Sequence, residues 1–458
     1  MLDIVAAKAR PARDGFATAR AALADGADPV ALALAAADRA QAAAGDGIFT
    51  ALVPRDVVER NAAAAAARAA AGEHLPLLGL TFAVKDNLHV AGMATTLNCP
   101  VVALMPQESA LAITRLEAAG AVLIGKNTMD QFATGLNGTR SPDPLCRNAI
   151  DPAFIPGGSS SGSAVAVAAG IVSFSLGSDT GGSGRVPAAC NGIVGMKPTV
   201  GLVSTRGAVY NSRLLDCIPI FAANVEDASE ILALIAGYDP LDPWSRRDAD
   251  DIQIAPVPAP SMRLVIPRRD QMRFFGDVEA EAAFAANLDR LRSLGFTLDE
   301  IDFAPFEEAG RLVFQSALVA ERLVEYDEVI TAHRDAIHPA ALAAIEPGRG
   351  YSAKEAFETL YRMRELKRAA ELALVDYAAF VTPTVPTIYT IEEMLADPMT
   401  RNAAMGAYTY FVNPMDLCVV AAPGAPARAG LPSSLSFIGL AGRDGVVAGL
   451  AARFLQPD

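Results

Sequence analysis

The block from Pro156 to Gly207 constrains this chain more than any other stretch. It is dominated by Gly, Ser and Thr, yet it carries apolar runs at Val165–Ala169 and Ile193–Met196. A solvated linker would be more polar. The mixture predicts packed loops around a site, where glycine permits close backbone approach and positive φ. A short Ala/Val helix is expected inside the block, over Ser163–Ala169. The uncharged run Ser159–Ser178 is long enough to raise the question of a membrane span. Its Ser and Gly content and its turn-rich flanks point instead to a buried loop–helix segment.

The flanking sequence predicts an α/β protein. Leu80–Val84 is a short apolar run ending at Lys85-Asp86-Asn87, as in a buried strand followed by a loop. Ser109–Ala119 has helical spacing through Leu111, Ile113 and Leu116 and stops at Gly120, and Ala121–Gly125 is the next strand. Strand, helix, strand at this spacing suggests a largely buried sheet. Alanine-rich helices are expected around Ala31–Ala43 and Asn61–Ala71, with amphipathic ones over Val225–Ala236 and Asp277–Leu294. Arg263–Ile266 and Ala379–Thr382 read as strands, Ser352–Asp376 as a long charged helix, and Asp239–Pro260 as an exposed loop. No repeat is visible.

Composition excludes several classes of function. At 458 residues, 52% hydrophobic and 20% charged, the chain has ample material for a core. A net charge of −14 argues against non-specific binding to nucleic acid or anionic membranes. The cysteines (Cys99, Cys146, Cys190, Cys217, Cys418) are odd in number and scattered, which is neither a disulfide framework nor a zinc pattern. Residues 1–15 lack the apolar core of a signal peptide, so a cytoplasmic location with reduced thiols is expected.

Lysine is scarce: among 38 basic residues only Lys8, Lys85, Lys126, Lys197, Lys354 and Lys367 are lysines, and three of these fall between Leu80 and Gly207. A desolvated lysine can lose its proton and act as a base, which arginine cannot. Lys85, after Thr81-Phe-Ala-Val84, is best placed for that, although a strand-end lysine that merely reaches solvent has the same signature. The Ser/Gly block admits rival readings. Gly157–Ser163 has the glycine spacing of a phosphate loop but Ser163 where its lysine would stand. Gly158-Ser-Ser160-Ser-Gly162 fits a nucleophile elbow, which needs a later Asp and then His; after His338 about 120 residues follow with none. No lysine has a serine three residues before it, which removes the S-x-x-K arrangement. What remains is two serines and a lysine. Ser159 is expected to open the short helix, and Ser183 follows 24 residues later in Ser178-Asp-Thr-Gly-Gly-Ser-Gly-Arg185. Small residues Thr180-Gly181-Gly182-Ser183 suit either an oxyanion hole or a plain tight turn.

Gly157–Ser163, Ser178–Ala188 and Val84–Asn87 together resemble the signature of the amidase-signature family, in order and at its spacing, and Gly192–Thr199 also fits. The resemblance implies the amidase-signature fold, a large mixed β-sheet sandwiched between α-helices. It would form a single domain over 1–458, with a helical segment at about 1–75, the signature core at about 76–220 and the remainder completing the pocket. It implies an amide hydrolase with Ser183 as nucleophile and Lys85 and Ser159 as its proton relay. A cis peptide before Ser159 and oxyanion donors from Thr180, Gly181, Gly182 and Ser183 belong to the same expectation, and Asp179 and Arg185 would hold the loop. No metal or organic cofactor is implied, and a homodimer is expected.

Within the family, Asp130–Pro142, Leu215–Cys217, Gly237–Arg246, Val319–Arg322, Phe411–Asn413 and Asp416–Cys418 resemble the allophanate hydrolases. That implies a small urea-derived substrate bearing a carboxylate, with Arg322, Phe314 and Gln131 as binding residues and Arg322 as the carboxylate clamp. An arginine beside Glu321 and Glu325 also suits a simple helix ion pair. Three departures stand out. Phe314 replaces the usual tyrosine, Tyr410 stands where an asparagine is usual, and the resemblance covers the amidase region only, so the C-terminal domain common in allophanate hydrolases is not expected. The alternatives are a related ureide or small amide as substrate, or an amidotransferase subunit that needs a partner.

Overall fold

A computed structural model describes residues 15–457. Its centre is an eleven-stranded sheet. The strands are β1 (Phe49–Leu52), β2 (Thr81–Lys85), β3 (Val122–Asn127), β4 (Phe174–Leu176), β5 (Val194–Lys197), β6 (Ile220–Ala222), β7 (Arg263–Pro267), β8 (Thr297–Ile301), β9 (Ala379–Pro383), β10 (Leu417–Pro426) and β11 (Pro432–Leu440). They lie in the order β1-β3-β2-β4-β6-β5-β10-β11-β9-β7-β8. Parallel pairing is confined to β3-β2-β4 and β9-β7-β8. The middle, from β4 through β6, β5, β10 and β11 to β9, is antiparallel, as is the β1–β3 edge.

Alternate residues of a strand reach opposite layers of helices, which is why the inner strands read as unbroken apolar runs. Phe82 and Val84 of β2 pack with Ile113, Leu116, Ile231 and Leu232 from helices Leu111–Ala118 and Val225–Ile235. Ala83, between them, faces Ala36, Ala40 and Val165 from helices Pro29–Ala42 and Ser161–Ala168. At the other end Val265 of β7 joins Phe306, Met363 and Leu366 under helices Ala304–Gln315 and Ala353–Leu374. The layered α/β architecture is therefore the expected one. The edge strand β8 (TLDEI) is partly exposed and carries Asp299 and Glu300, the usual protection of a free edge.

Several expectations need correction. β1 lies inside the segment read as helical, because four residues are too few to show a period. Residues 1–14 of that segment lie outside the described residues. The helix in the Ser/Gly block begins at Ser161, two residues early, because Ser160 takes the cap position and its carbonyl accepts Ala164 N–H at 3.2 Å. Ser159 therefore precedes the helix rather than opening it. The β10–β11 hairpin had no expectation because Pro423, Gly424 and Pro426 mimic a loop. No helix among the described residues is long and apolar enough to cross a membrane.

Candidate active site

Strand β2 ends by delivering Lys85 into the interior, where its side chain is fully buried. Its Nζ lies 2.7 Å from Ser159 Oγ, 2.8 Å from Ser178 Oγ and 3.4 Å from the Ser178 carbonyl oxygen. Ser159 Oγ is in turn 2.9 Å from Ser183 Oγ. Amine and hydroxyls thus form one continuous chain. Burial pulls the amine down from its ordinary value to about 7, against the opposing charges of Asp216, Asp130 and Asp179. The adjacent strand makes an instructive contrast. Lys126 of β3 is equally buried but meets the Asp86 carboxylate at 2.8 Å, a direct counter-charge that Lys85 lacks among the described residues.

The Ser159 turn can form because its neighbour has no side chain. The Gly158–Ser159 peptide is cis, and a Cβ on Gly158 would stand 2.1 Å from Asp130 Oδ2. Asp130 itself gathers the loop opposite, accepting N–H groups of Asn137, Gly138 and Arg140.

A second carboxylate shapes the Ser183 loop. Asp179 accepts Gly182 N–H and Gly184 N–H, both at 2.8 Å, and is held by Arg185 Nε and Nη2, both at 2.9 Å. Arg185 is fixed further by donating to the Thr409 carbonyl and Asn413 Oδ1, each at 2.9 Å. Burial alone would raise the Asp179 acid, but the Arg185 charge and hydrogen bonds overcome it and hold it at about 2. Gly182 sits at φ +137°, and a Cβ there would meet Thr409 Oγ1 at 2.4 Å. This arrangement corrects one expectation: Gly182 N–H is committed to Asp179 and is not free to hold an oxyanion. The N–H groups of Thr180, Gly181 and Ser183 carry no such bond among the described residues, and these three residues line one cavity.

That cavity, about 530 Å³, is closed on its far side by residues 303–322 and 399–410. Phe314 and Tyr410 meet there at a 50° tilt with ring centroids 4.3 Å apart, and both rings approach Gly181. The Tyr410 hydroxyl turns away to Asn402, donating to its carbonyl at 3.3 Å. Arg322 is buried, lies 4.9 Å above the Phe314 ring and donates Nε to Asn211 Oδ1 at 2.6 Å; its Nη1 has no partner among the described residues. Neither Glu321 nor Glu325 takes up Arg322. They serve Ser212 and Arg213 instead, so the helix ion pair is not formed. Gln131 is the second correction. It is buried between Asn98, which accepts its Nε2 at 3.1 Å, and His338, whose N–H it accepts at 2.7 Å, and it does not line the cavity.

Sequence reasoning assigned no role to the Ser178 hydroxyl, Asn211 or Asp216. Asp216 did leave a signal, as the only charge in the apolar run Leu214–Ile220.

Comparison with known proteins gives the family. A family profile described as Amidase matches residues 31–447. The urea amidolyase of Saccharomyces cerevisiae is 35% identical over 387 residues, which cover 84% of this chain and 21% of that protein. The chain therefore spans about a fifth of the urea amidolyases it matches. The A component of the glutamyl-tRNA(Gln) amidotransferase of Deinococcus radiodurans is 36% identical, with 76% of this chain and 77% of that one covered. An allophanate hydrolase structure from Kluyveromyces lactis superposes with a TM-score of 0.89 at 32% identity, over 94% of this chain and 71% of that one. With the profile spanning most of its length and the amine–serine–serine chain at its centre, this chain belongs to the amidase-signature family of amide C–N hydrolases.

Proposed function

We propose that this chain hydrolyses a small urea-derived amide, allophanate first, and releases ammonia through a Ser183 acyl-enzyme. The observation that carries the reading is the unbroken run from Lys85 Nζ through Ser159 Oγ to Ser183 Oγ, opening on a cavity that Arg322 also lines. An amine titrating near 7 is neutral in a large share of molecules at neutral pH, so its lone pair can accept the Ser159 proton. Ser159 then takes the proton of Ser183, whose oxygen attacks the amide carbonyl. The N–H groups of Thr180, Gly181 and Ser183 hold the developing oxyanion. Ser159 returns the proton to the departing nitrogen and ammonia leaves. Water cleaves the remaining ester and regenerates Ser183 by the same relay.

Substrate choice rests on Arg322. A buried guanidinium whose Nη1 has no partner among the described residues is suited to pair with a carboxylate at a fixed distance from the scissile amide. Allophanate has that pattern, and the cavity volume leaves room for larger ureides. The test is ammonia release from allophanate, biuret, guanylurea and simple neutral amides. Preference for the carboxylate-bearing ureide is expected; strong activity confined to bulky aryl amides would remove the reading. The likeness to amidotransferase components supports a second one, in which ammonia passes to a partner enzyme. Glutamine-dependent activity appearing only with a co-purified partner would favour it. A cytoplasmic homodimer completes the proposal, and a monomer in sedimentation at assay concentration would count against it.

A further inference from the structure

A buried carboxylate outside the amine–serine set joins the two halves of the cavity. Asp216 is 6% exposed and sits behind the Ser183 loop. Its Oδ1 accepts the Thr180 hydroxyl at 2.5 Å, and its Oδ2 accepts the Asn211 backbone N–H at 2.7 Å. Thr180 belongs to the nucleophile loop. Asn211 holds Arg322, accepting Nε at 2.6 Å on Oδ1, while its Nδ2 is anchored on the carbonyls of Phe132 and Ala133 at 3.2 and 2.9 Å. One carboxylate oxygen therefore serves the nucleophile and the other serves the guanidinium.

We propose that Asp216 is a positioning residue that ties anion recognition at Arg322 to the Lys85–Ser159–Ser183 relay, by fixing Thr180 and Asn211 and by setting its negative charge near Lys85. The inference rests on the relay reading given above. Asp216 shares the neighbourhood of Lys85 with Asp130 and Asp179, and is itself faced by Lys85, Arg322, Glu321, Tyr326 and Tyr210. Burial raises the Asp216 acid to about 6, with the Thr180, Asn211 and Ser212 hydrogen bonds opposing. Among the carboxylates that oppose the burial of the Lys85 amine, Asp216 exerts the largest effect. An anion nearby favours ammonium over amine. Its removal must therefore let Lys85 deprotonate at lower pH.

The experiment follows the rate of Ser183 modification by a fluorophosphonate against pH, which needs no knowledge of the substrate. In the wild type the rate is expected to rise through a limb near pH 7. In Asp216→Asn the limb moves about one unit toward acid, the scale of a lost neighbouring charge. A slower reaction with the limb unmoved would make Asp216 merely structural and overturn the inference. A wild-type rate flat with pH would overturn the relay and this inference with it. Should Asp216→Asn not fold, Asn211→Ala tests the other arm, with malonamate as the probe because it carries an amide and a carboxylate. That variant keeps the Asp216 charge, so its limb stays in place. The malonamate concentration that halves Ser183 labelling is expected to rise about tenfold, as for a weakened charged hydrogen bond. An unchanged concentration would sever the proposed link to Arg322.

Discussion

Ser183 reaches the floor of the cavity, and beneath it Lys85, Ser159, Ser178, Asp179 and Arg185 hydrogen-bond one another, Ser183 or their immediate backbone. On the opposite wall Arg322 keeps a buried Nη1 without a partner among the described residues, and the Phe314 and Tyr410 rings meet at a tilt. A satisfied polar network is rigid, and rigidity is what a proton relay needs, since each transfer requires heavy atoms within hydrogen-bond reach. An unpaired buried donor is costly and is relieved by a ligand that supplies the acceptor. On the proposed reading the two surfaces divide the work: the floor is complete by itself, and the wall is completed by substrate.

Substitutions that remove the floor should cost most. Ser183→Ala deletes the proposed nucleophile and is expected to lower kcat by about 10⁵ or more, as loss of a nucleophile does elsewhere, with ammonia release as the readout. Breaking the Asp179–Arg185 pair comes next. Arg185→Met leaves a buried carboxylate uncompensated and should destabilise the fold by about 3–5 kcal/mol in denaturant titration. The pH dependence has a definite sign. The Asp179 acid is depressed to about 2 in the folded protein, so the pair's contribution is full above the ordinary carboxylate range and is lost as pH falls toward 2. The gap between wild type and Arg185→Met should narrow over that window.

The wall should respond in binding rather than in chemistry. Arg322→Gln is expected to raise KM for a carboxylate-bearing ureide by about 10–100-fold and to leave kcat on a neutral amide nearly unchanged. A fall in kcat on both substrates would erase the distinction between the surfaces. Phe314→Tyr adds a hydroxyl to a ring already packed against Tyr410 and under Arg322, and a change in KM of only a few-fold is expected. A large gain for one ureide over another would show that the wall reads polar groups more finely than its ring contacts suggest.

The same division explains what was legible beforehand. Lys85, Ser159 and Ser183 lie in short, ordered segments whose residue types are fixed by chemistry: a base that can lose its proton, hydroxyls that can pass one, and glycines where a Cβ would collide. β2 and β3 showed as apolar runs because both their faces are buried. The wall is drawn from residues 303–347 and 399–410, and nothing local marks which of those side chains face inward. Gln131 was misplaced for that reason: its amide bonds to Asn98 and His338, partners far from it along the chain. Gly182 was misjudged because a carboxylate three residues earlier captures its N–H, and composition does not record the direction in which a peptide points.

The division stands or falls on whether Lys85 works as a neutral amine. The decisive measurement is the pH profile of kcat/KM for ammonia release, on whichever amide is turned over best, in the wild type and in Lys85→Met. The wild type should show an acid limb near pH 7, and the variant should lose activity by about 10²–10⁴ together with that limb. The variant should also melt at a higher temperature near neutral pH, because folding no longer strips a proton from a buried amine, with the gain shrinking as pH rises toward 10. A Lys85→Met enzyme that kept its rate and its acid limb would contradict the relay outright.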